Sequence, residues 1–380
     1  MITDQRMQRL WIVTELFPPD ETSTSYILGE IANAMVKKYR VGVICGPAIY
    51  DKRKKIDINT SFHLNESIDV HRIKGLNLDK NTTIGKAFSL LLMSQRLMTI
   101  VKQYVRQGDK VLIVTNPAPL ILLMSKLKCR LNFELTVLVH DIFPENTLAA
   151  GFKMPMYNFI KRLFDKAYSK ADQLIAIGRD MRYVLKEKVE NGTKSKDYLP
   201  DITIIENWAD IDNIQPQPMP KGKIILEYAG NIGRVQGLDK IIEQLPNDVE
   251  LHVYGTGSME NNLKKLNHPH VFFHGPYFRS QQNEVLAACH IAIVTLQDDM
   301  YGLGVPSKIY NILASGRPVI FFGPKDSEID LLVREEQIGY CGWPDGWHMD
   351  EIKSMGIKAR KVAEEKYSKT IILDKFLETI

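Results

Sequence analysis

The sequence predicts an α/β chain of two doubly wound parallel-sheet domains that face each other across a cleft. Three observations predict it. Short apolar runs of four to six residues alternate with longer segments of helical period along most of the 380 residues. The runs are continuously apolar, as strands covered on both faces must be. The series restarts after residue 207, giving two halves of about 180 residues, each large enough for its own core. Composition agrees. Apolar residues make up 44% and charged residues 25%, and the 24 Gly and 18 Pro are dispersed. That excludes collagen-like, low-complexity and largely disordered chains.

In order, the first half reads as strand Leu10–Thr14, a loop with Phe17-Pro18-Pro19, and a helix from Tyr26 to Lys38 with Ile27, Ile31, Ala34 and Met35 on one face. Strands follow at Val41–Cys45, Val70–Ile73, Val111–Thr115, Leu135–Val139 and Leu174–Ile177, the last expected in this half. A long amphipathic helix covers Ile84–Val105, and another, YNFIKRLFDKAY, covers Tyr157–Tyr168. The second half reads as strands Ile224–Tyr228, Leu251–Tyr254, Val271–Phe273, Ile291–Leu296 and Val319–Phe322, the last closing the series. The boundary is placed near Asp201–Pro220, where Gln215-Pro216-Gln217-Pro218-Met219-Pro220 has linker composition. The domains expected are 1–200 and 201–365, with a C-terminal helix, 366–380, packing back on the first.

Charge divides unequally. Residues 1–200 hold 31 Lys and Arg against 20 Asp and Glu, and residues 201–380 hold 18 against 25. A basic first half suits an anionic surface or ligand. The basic, aromatic Tyr157–Tyr168 helix suits either a membrane surface or ordinary packing. No apolar run approaches the ~18 residues of a membrane span, and MITDQRMQRL has no apolar secretion core. Four dispersed cysteines, without a C-x-x-C pair, fit a reduced cytosolic protein without structural zinc.

In open parallel sheets, ligands bind beyond the carboxyl ends of the strands, so the post-strand loops carry the chemistry. Gly230-Asn231-Ile232-Gly233-Arg234 opens a helix, where glycines allow close backbone approach and the helix terminus favours phosphate. Arg234 adds a fork of donors suited to a diphosphate. Tyr254-Gly255-Thr256-Gly257 and His274-Gly275-Pro276-Tyr277 are further glycine turns, readable equally as tight strand-to-helix connections. Gly302-Leu303-Gly304-Val305-Pro306-Ser307-Lys308 offers amides and an ammonium to an anion. His140-Asp141 ends a strand in the basic half, where the imidazole can donate to a sugar or phosphate oxygen. Glu15 and Glu145 read as structural. His268, His270 and His274 do not have the spacing of a metal set. The P-loop, nucleophile-elbow and kinase signatures are absent.

Taken together, these segments resemble glycosyltransferase family 4. The matching pieces run in family order: Phe17-Pro18-Pro19, His140-Asp141 with Pro144-Glu145, Ala171–Ile175, Ile205–Asp210, Tyr228–Gly233, Tyr254–Gly257, His274-Gly275, and Val305–Lys308 through Leu313–Ile320. The Pro306-Ser307-Lys308 variant resembles N-acetylfucosaminyltransferase-like enzymes of O-antigen, capsule and exopolysaccharide assembly. The resemblance implies the GT-B fold and a retaining glycosyltransferase that moves a sugar from a nucleotide-diphosphate sugar, a UDP-sugar foremost, to a lipid-linked glycan. With it, an enzyme of the cytoplasm, peripheral at the inner membrane face, is expected. The basic first half would rest on anionic lipid. Cationic side chains with helix N-termini would serve the diphosphate without metal or resident cofactor, and no nucleic acid is expected as a partner. The resemblance assigns Arg234 and Lys308 to the diphosphate, Gly233 to close approach, Gly255 and Tyr277 to the base, and the Gly304-Val305-Pro306 amides to sugar or phosphate. His140 stands beside the reacting sugar. The catalytic set implied is His140, Arg234 and Lys308.

Departures are clear. Where the family has two glutamates eight positions apart, this chain has Leu303 and Asn311. Gln236 stands where a Lys usually follows the diphosphate Arg, and Glu21-Thr22-Ser23 replaces a Gly-Gly. Two alternatives therefore stay open: a nucleotide-sugar 2-epimerase on the same architecture, and a non-catalytic partner of the same shape.

Overall fold

The computed structural model describes residues 7–20, 22–48, 62–74, 83–193 and 199–380. Seven parallel strands form the first sheet: β1 (Arg9–Thr14), β2 (Arg40–Cys45), β3 (Asp69–Arg72), β4 (Lys110–Val114), β5 (Glu134–Val139), β6 (Gln173–Ala176) and β7 (Asp201–Ile204), in the order β3-β2-β1-β4-β5-β6-β7. Six form the second: β8 (Ile224–Ala229), β9 (Val249–Tyr254), β10 (Val271–Gly275), β11 (Ile291–Thr295), β12 (Val319–Phe322) and β13 (Gly339–Cys341), in the order β10-β9-β8-β11-β12-β13. Both are doubly wound, as expected. The strand order reverses direction between β1 and β4 in one and between β8 and β11 in the other. Those two switch points are where open α/β sheets leave a crevice.

The central strands form because their residues bury on both faces. Leu10, Trp11, Ile12 and Val13, like Val111–Val114 and Leu135–Val139, are almost wholly removed from water, the buried Thr136 hydroxyl included. Each fully buried aliphatic side chain contributes about 1.5–3 kcal/mol. The helix Ser23–Met35 begins where the Thr22 hydroxyl accepts the Ser25 N–H, at 3.2 Å, satisfying one orphan donor. It buries Ile27, Leu28, Ile31 and Met35 against the sheet.

Two expectations are corrected. Leu174–Ile177 is not the last strand of its sheet, and Val319–Phe322 does not close the other. Asp201–Ile204 pairs in register with β6, and Gly339–Cys341 with β12. Both lie at sheet edges and keep partly exposed side chains, so neither shows an unbroken buried run. The first sheet thus continues past residue 200. The helix Lys369–Thr379 returns to the first sheet's side. Tyr39 Oη and Lys110 Nζ donate to the Ile380 carbonyl, at 2.6 and 2.7 Å.

Candidate functional site

Between the two switch points lies a cavity of about 500 Å³. Ser23, Thr24, His140 and Asp141 line it from the first sheet. Tyr228, Gly230, Asn231, Gln236, Tyr277 and the 304–308 turn line it from the second. The walls are joined directly. Ile142 N–H donates to the Leu303 carbonyl at 3.0 Å, and Asp141 and Gly304 pair as an antiparallel bridge. Next to this, the Gly302 N–H donates to buried Asp180. A side chain at Gly302 would meet Val184 and the Asp180 backbone, and its φ is +68°. The glycine there lets the turn seat on the opposite domain. Arg179 and Glu328 clasp the same contact: the Arg179 N–H and guanidinium both reach the Glu328 carboxylate, at 2.6–3.1 Å.

His140 is set by Thr115, whose hydroxyl accepts the N–H groups of His140 and Asp141, both at 3.2 Å. Its Nε2 is buried with no hydrogen-bond partner. Burial lowers its pKa to about 4, so the imidazole is neutral. Asp141 is exposed within the crevice, yet crowding by protein raises its carboxyl to about 6. Water reaching it through the crevice tempers that rise.

Lys308 opens the helix Lys308–Ala314. Its Nζ is buried without a hydrogen-bond acceptor and lies 3.4 Å from the centroid of the Tyr228 ring. Loss of water lowers this ammonium to about 7. Tyr228 is itself fixed by donating to the Asn231 carbonyl at 2.7 Å. An unpaired buried ammonium that faces a cavity is a ready anion site.

Of the residues singled out in the sequence, His140, Tyr277, Gly304, Val305, Pro306, Lys308 and Asn311 line this cavity together. Three do not. Arg234 is exposed beside it, its guanidinium 5.8 Å from the Phe152 ring centroid. Gly233 precedes a short 3₁₀ turn, Arg234–Gln236, its N–H donating to the Gln236 side chain at 3.0 Å. Gly255 packs against the Gly230 carbonyl, which a Cβ would approach to 1.9 Å. The neighbouring turn therefore accounts for this glycine. Leu303 is buried, and Asn311 is occupied: its carbonyl oxygen accepts the Asp210 N–H and its amide donates to Gln282. Glu145 is structural, holding Lys188 at 2.6 Å and Lys161 at 3.5 Å. Glu21 lies outside the described residues.

Sequence reasoning missed Thr115, Asp180, the Arg179–Glu328 clasp and the buried Glu227. Only the last offered a local signal, a lone charge inside an apolar strand.

Residues 228–340 match the family described as Glycosyl transferases group 1. The probable glycosyltransferase WbjE of Pseudomonas aeruginosa is 30% identical over 97% of this chain and 97% of its own. Among solved structures, sucrose-phosphate synthase from Thermosynechococcus elongatus superposes with a TM-score of 0.74, at 13% identity and 98% coverage of both chains. Anabaena HepE in complex with UDP superposes with a TM-score of 0.62, at 14% identity over 98% of this chain and 99% of that one. The sheets, the crevice and these likenesses agree: the chain has the GT-B fold and belongs to the group 1 glycosyltransferases.

Proposed function

We propose that this transferase moves a sugar, with retention of configuration, from a nucleotide-diphosphate sugar to a lipid-linked glycan in cell-surface polysaccharide assembly. The observation that carries it is the cavity between the two switch points. It sets the neutral His140 of one domain opposite the unpaired Lys308 ammonium of the other. Lys308, the backbone N–H groups of the 304–305 turn and Arg234 bind the diphosphate, where negative charge develops as the sugar leaves. Neutral His140 donates to a sugar hydroxyl. The bond from the anomeric carbon to the β-phosphate oxygen breaks, and the acceptor oxygen bonds that carbon on the same face. The acceptor's proton passes to the departing phosphate. Gly255 and Tyr277 flank the base.

The relatives support the donor and pathway class. HepE is seen with UDP, and the putative transferase WcaI of Escherichia coli, named for colanic acid biosynthesis, is 25% identical over 55% of this chain. The domains of the proposal are 1–200 for the acceptor and 201–365 for the donor, with the first extended by β7 and helix Lys369–Thr379. The first rests on anionic lipid at the inner membrane face. Leu148, Phe152, Met156, Phe159 and Leu163 are exposed around the Tyr157–Tyr168 helix, beside Arg162 and Lys166. Apolar tips with basic neighbours suit such a surface. Among the described residues no helix is long and apolar enough to cross a membrane.

The test incubates the chain with UDP-sugars and a lipid-diphosphate-linked acceptor and reads the product's anomeric configuration by NMR. Transfer with retention is expected. Donor turnover without acceptor would instead indicate an epimerase. The engaged Asn311 and buried Leu303 favour one second reading, nucleotide binding without turnover; binding with no product in this assay would establish it.

A further inference from the structure

Arg279 reaches from the second domain to the first, beside the donor cavity. It opens the short turn Arg279–Gln281 that follows β10. Its guanidinium carbon lies 3.7 Å from the centroid of the Tyr26 ring, on the helix Ser23–Met35 of the first domain. Its Nη2 donates to Oδ2 of Asp210, in the linker, at 3.2 Å. Asp210 is 7% exposed, and its other oxygen accepts from the Asn213 side chain at 2.8 Å. A carboxylate buried to that degree is costly unless an opposite charge and hydrogen bonds compensate it. Arg279 supplies the charge, and the aromatic face of Tyr26 attracts the flat guanidinium that carries it.

We propose that Arg279 is a positioning residue for donor binding that sets two walls of the cavity: the N-terminal turn of the Ser23–Met35 helix, through Tyr26, and the Asn311 carboxamide, through Asp210. This rests on the donor-site reading above. Ser23, Thr24 and Ile27 line the donor cavity. Tyr26, on the same turn, lines an adjoining cavity of about 400 Å³ together with Arg279 and Asp210. The stack on Arg279 therefore fixes how this helix meets a bound nucleotide sugar.

The second arm is a chain of bonds. Arg279 holds the Asp210 side chain, the Asp210 N–H donates to Asn311 Oδ1 at 3.0 Å, and Asn311 Nδ2 donates to Gln282 Oε1 at 3.2 Å. Gln282, three residues beyond Arg279, borders both cavities. An N–H can bond only the oxygen of a carboxamide, so Asp210 fixes which end of Asn311 is which. A carboxamide has two donors and two lone pairs. With one of each used inside the protein, each end of Asn311 keeps one bond to offer a ligand. Loss of Arg279 leaves the Asp210 carboxylate short of its charge partner, so the linker shifts to rehydrate it and Asn311 loses its orientation.

The experiment titrates UDP, GDP and dTDP calorimetrically into the full chain and carries the nucleotide that binds into the variants, with thermal midpoints alongside. Arg279→Ala should weaken binding about 5- to 150-fold, the usual span of coupling between sites. Arg279→Lys keeps a charge beside Asp210 and loses the flat stack, so it should recover part of the loss. Tyr26→Leu combined with Asn311→Ala removes both arms. In that background Arg279→Ala should change Kd by less than about twofold. Arg279→Gln serves in the same cycle if Arg279→Ala does not fold. An unchanged Kd in Arg279→Ala beside a lowered midpoint would make Arg279 a structural contact and overturn the proposal. So would the full Arg279→Ala loss persisting in the double-variant background. Either result leaves the donor site standing. Failure of all three nucleotides to bind the wild type would overturn both.

Discussion

Gly255 and Gly275 form a matched pair that separates two roles for a glycine turn. Both have positive φ, +124° and +78°, so alanine strains the backbone at either. At Gly275 nothing lies within 4 Å of the new Cβ. The cost of Gly275→Ala should be the conformational penalty alone, about 1–2 kcal/mol. At Gly255 the Cβ would lie 1.9 Å from the Gly230 carbonyl oxygen and 2.9 Å from its carbon. Both are backbone atoms and cannot rotate away. The Gly230 N–H also donates to the Tyr254 carbonyl at 2.9 Å, so the two turns would have to part together. Overpacking of this kind adds about 1–3 kcal/mol, giving about 2–5 kcal/mol in total. Urea unfolding followed by circular dichroism measures both variants. Equal destabilisation, or a Gly255→Ala cost below about 1 kcal/mol, would refute the packing argument.

Three more expectations follow from the same contacts. Lys188, 2% exposed, bridges Asp165 and Glu145 at 2.6 Å each; Lys188→Met should cost about 3–5 kcal/mol in urea unfolding, and Asp165→Leu added to it should recover part of the loss. Glu328→Gln should weaken the clasp on Arg179 by about 1.5–3 kcal/mol, enlarging the radius of gyration in small-angle scattering; an unchanged radius and stability would remove the clasp from the account. Because burial holds His140 at about 4 in the folded chain, below the unfolded value of about 6.5, the unfolded state binds more protons between those values. The stability that depends on neutral His140 is present above pH 6.5 and lost as pH falls toward 4. The pH slope of stability over that window should be shallower in His140→Gln than in wild type.

The sequence showed most of the frame because buried parallel strands leave an unbroken apolar trace. Leu10–Thr14 and Leu135–Val139 were legible for that reason. Asp201–Ile204 and Gly339–Cys341 were not, since edge strands stay partly exposed and short. The site was legible as a set of post-strand loops, but the purpose of each residue was not. Gly302 and Gly255 look alike as turn glycines; one seats against the other domain and one against the neighbouring turn. Asn311 and Leu303 looked like lost ligands, and in the fold they tie the linker and the domain contact. Arg179 and Glu328 are 149 residues apart and leave no local pattern. Glu227 stands out inside IILEYA as a lone charge in an apolar strand, but its burial shows only in the fold.

The most direct test of the central claim is nucleotide-dependent thermal stability, read for UDP, GDP, dTDP, CMP and their sugars, with Arg234→Ala and Lys308→Met alongside. A ligand at 100 times its dissociation constant adds about 2.7 kcal/mol to the folded state. The account predicts a rise in midpoint for one diphosphate nucleotide and its sugar, diminished in both variants. The same midpoint for every nucleotide, or a rise undiminished in Lys308→Met, would contradict it.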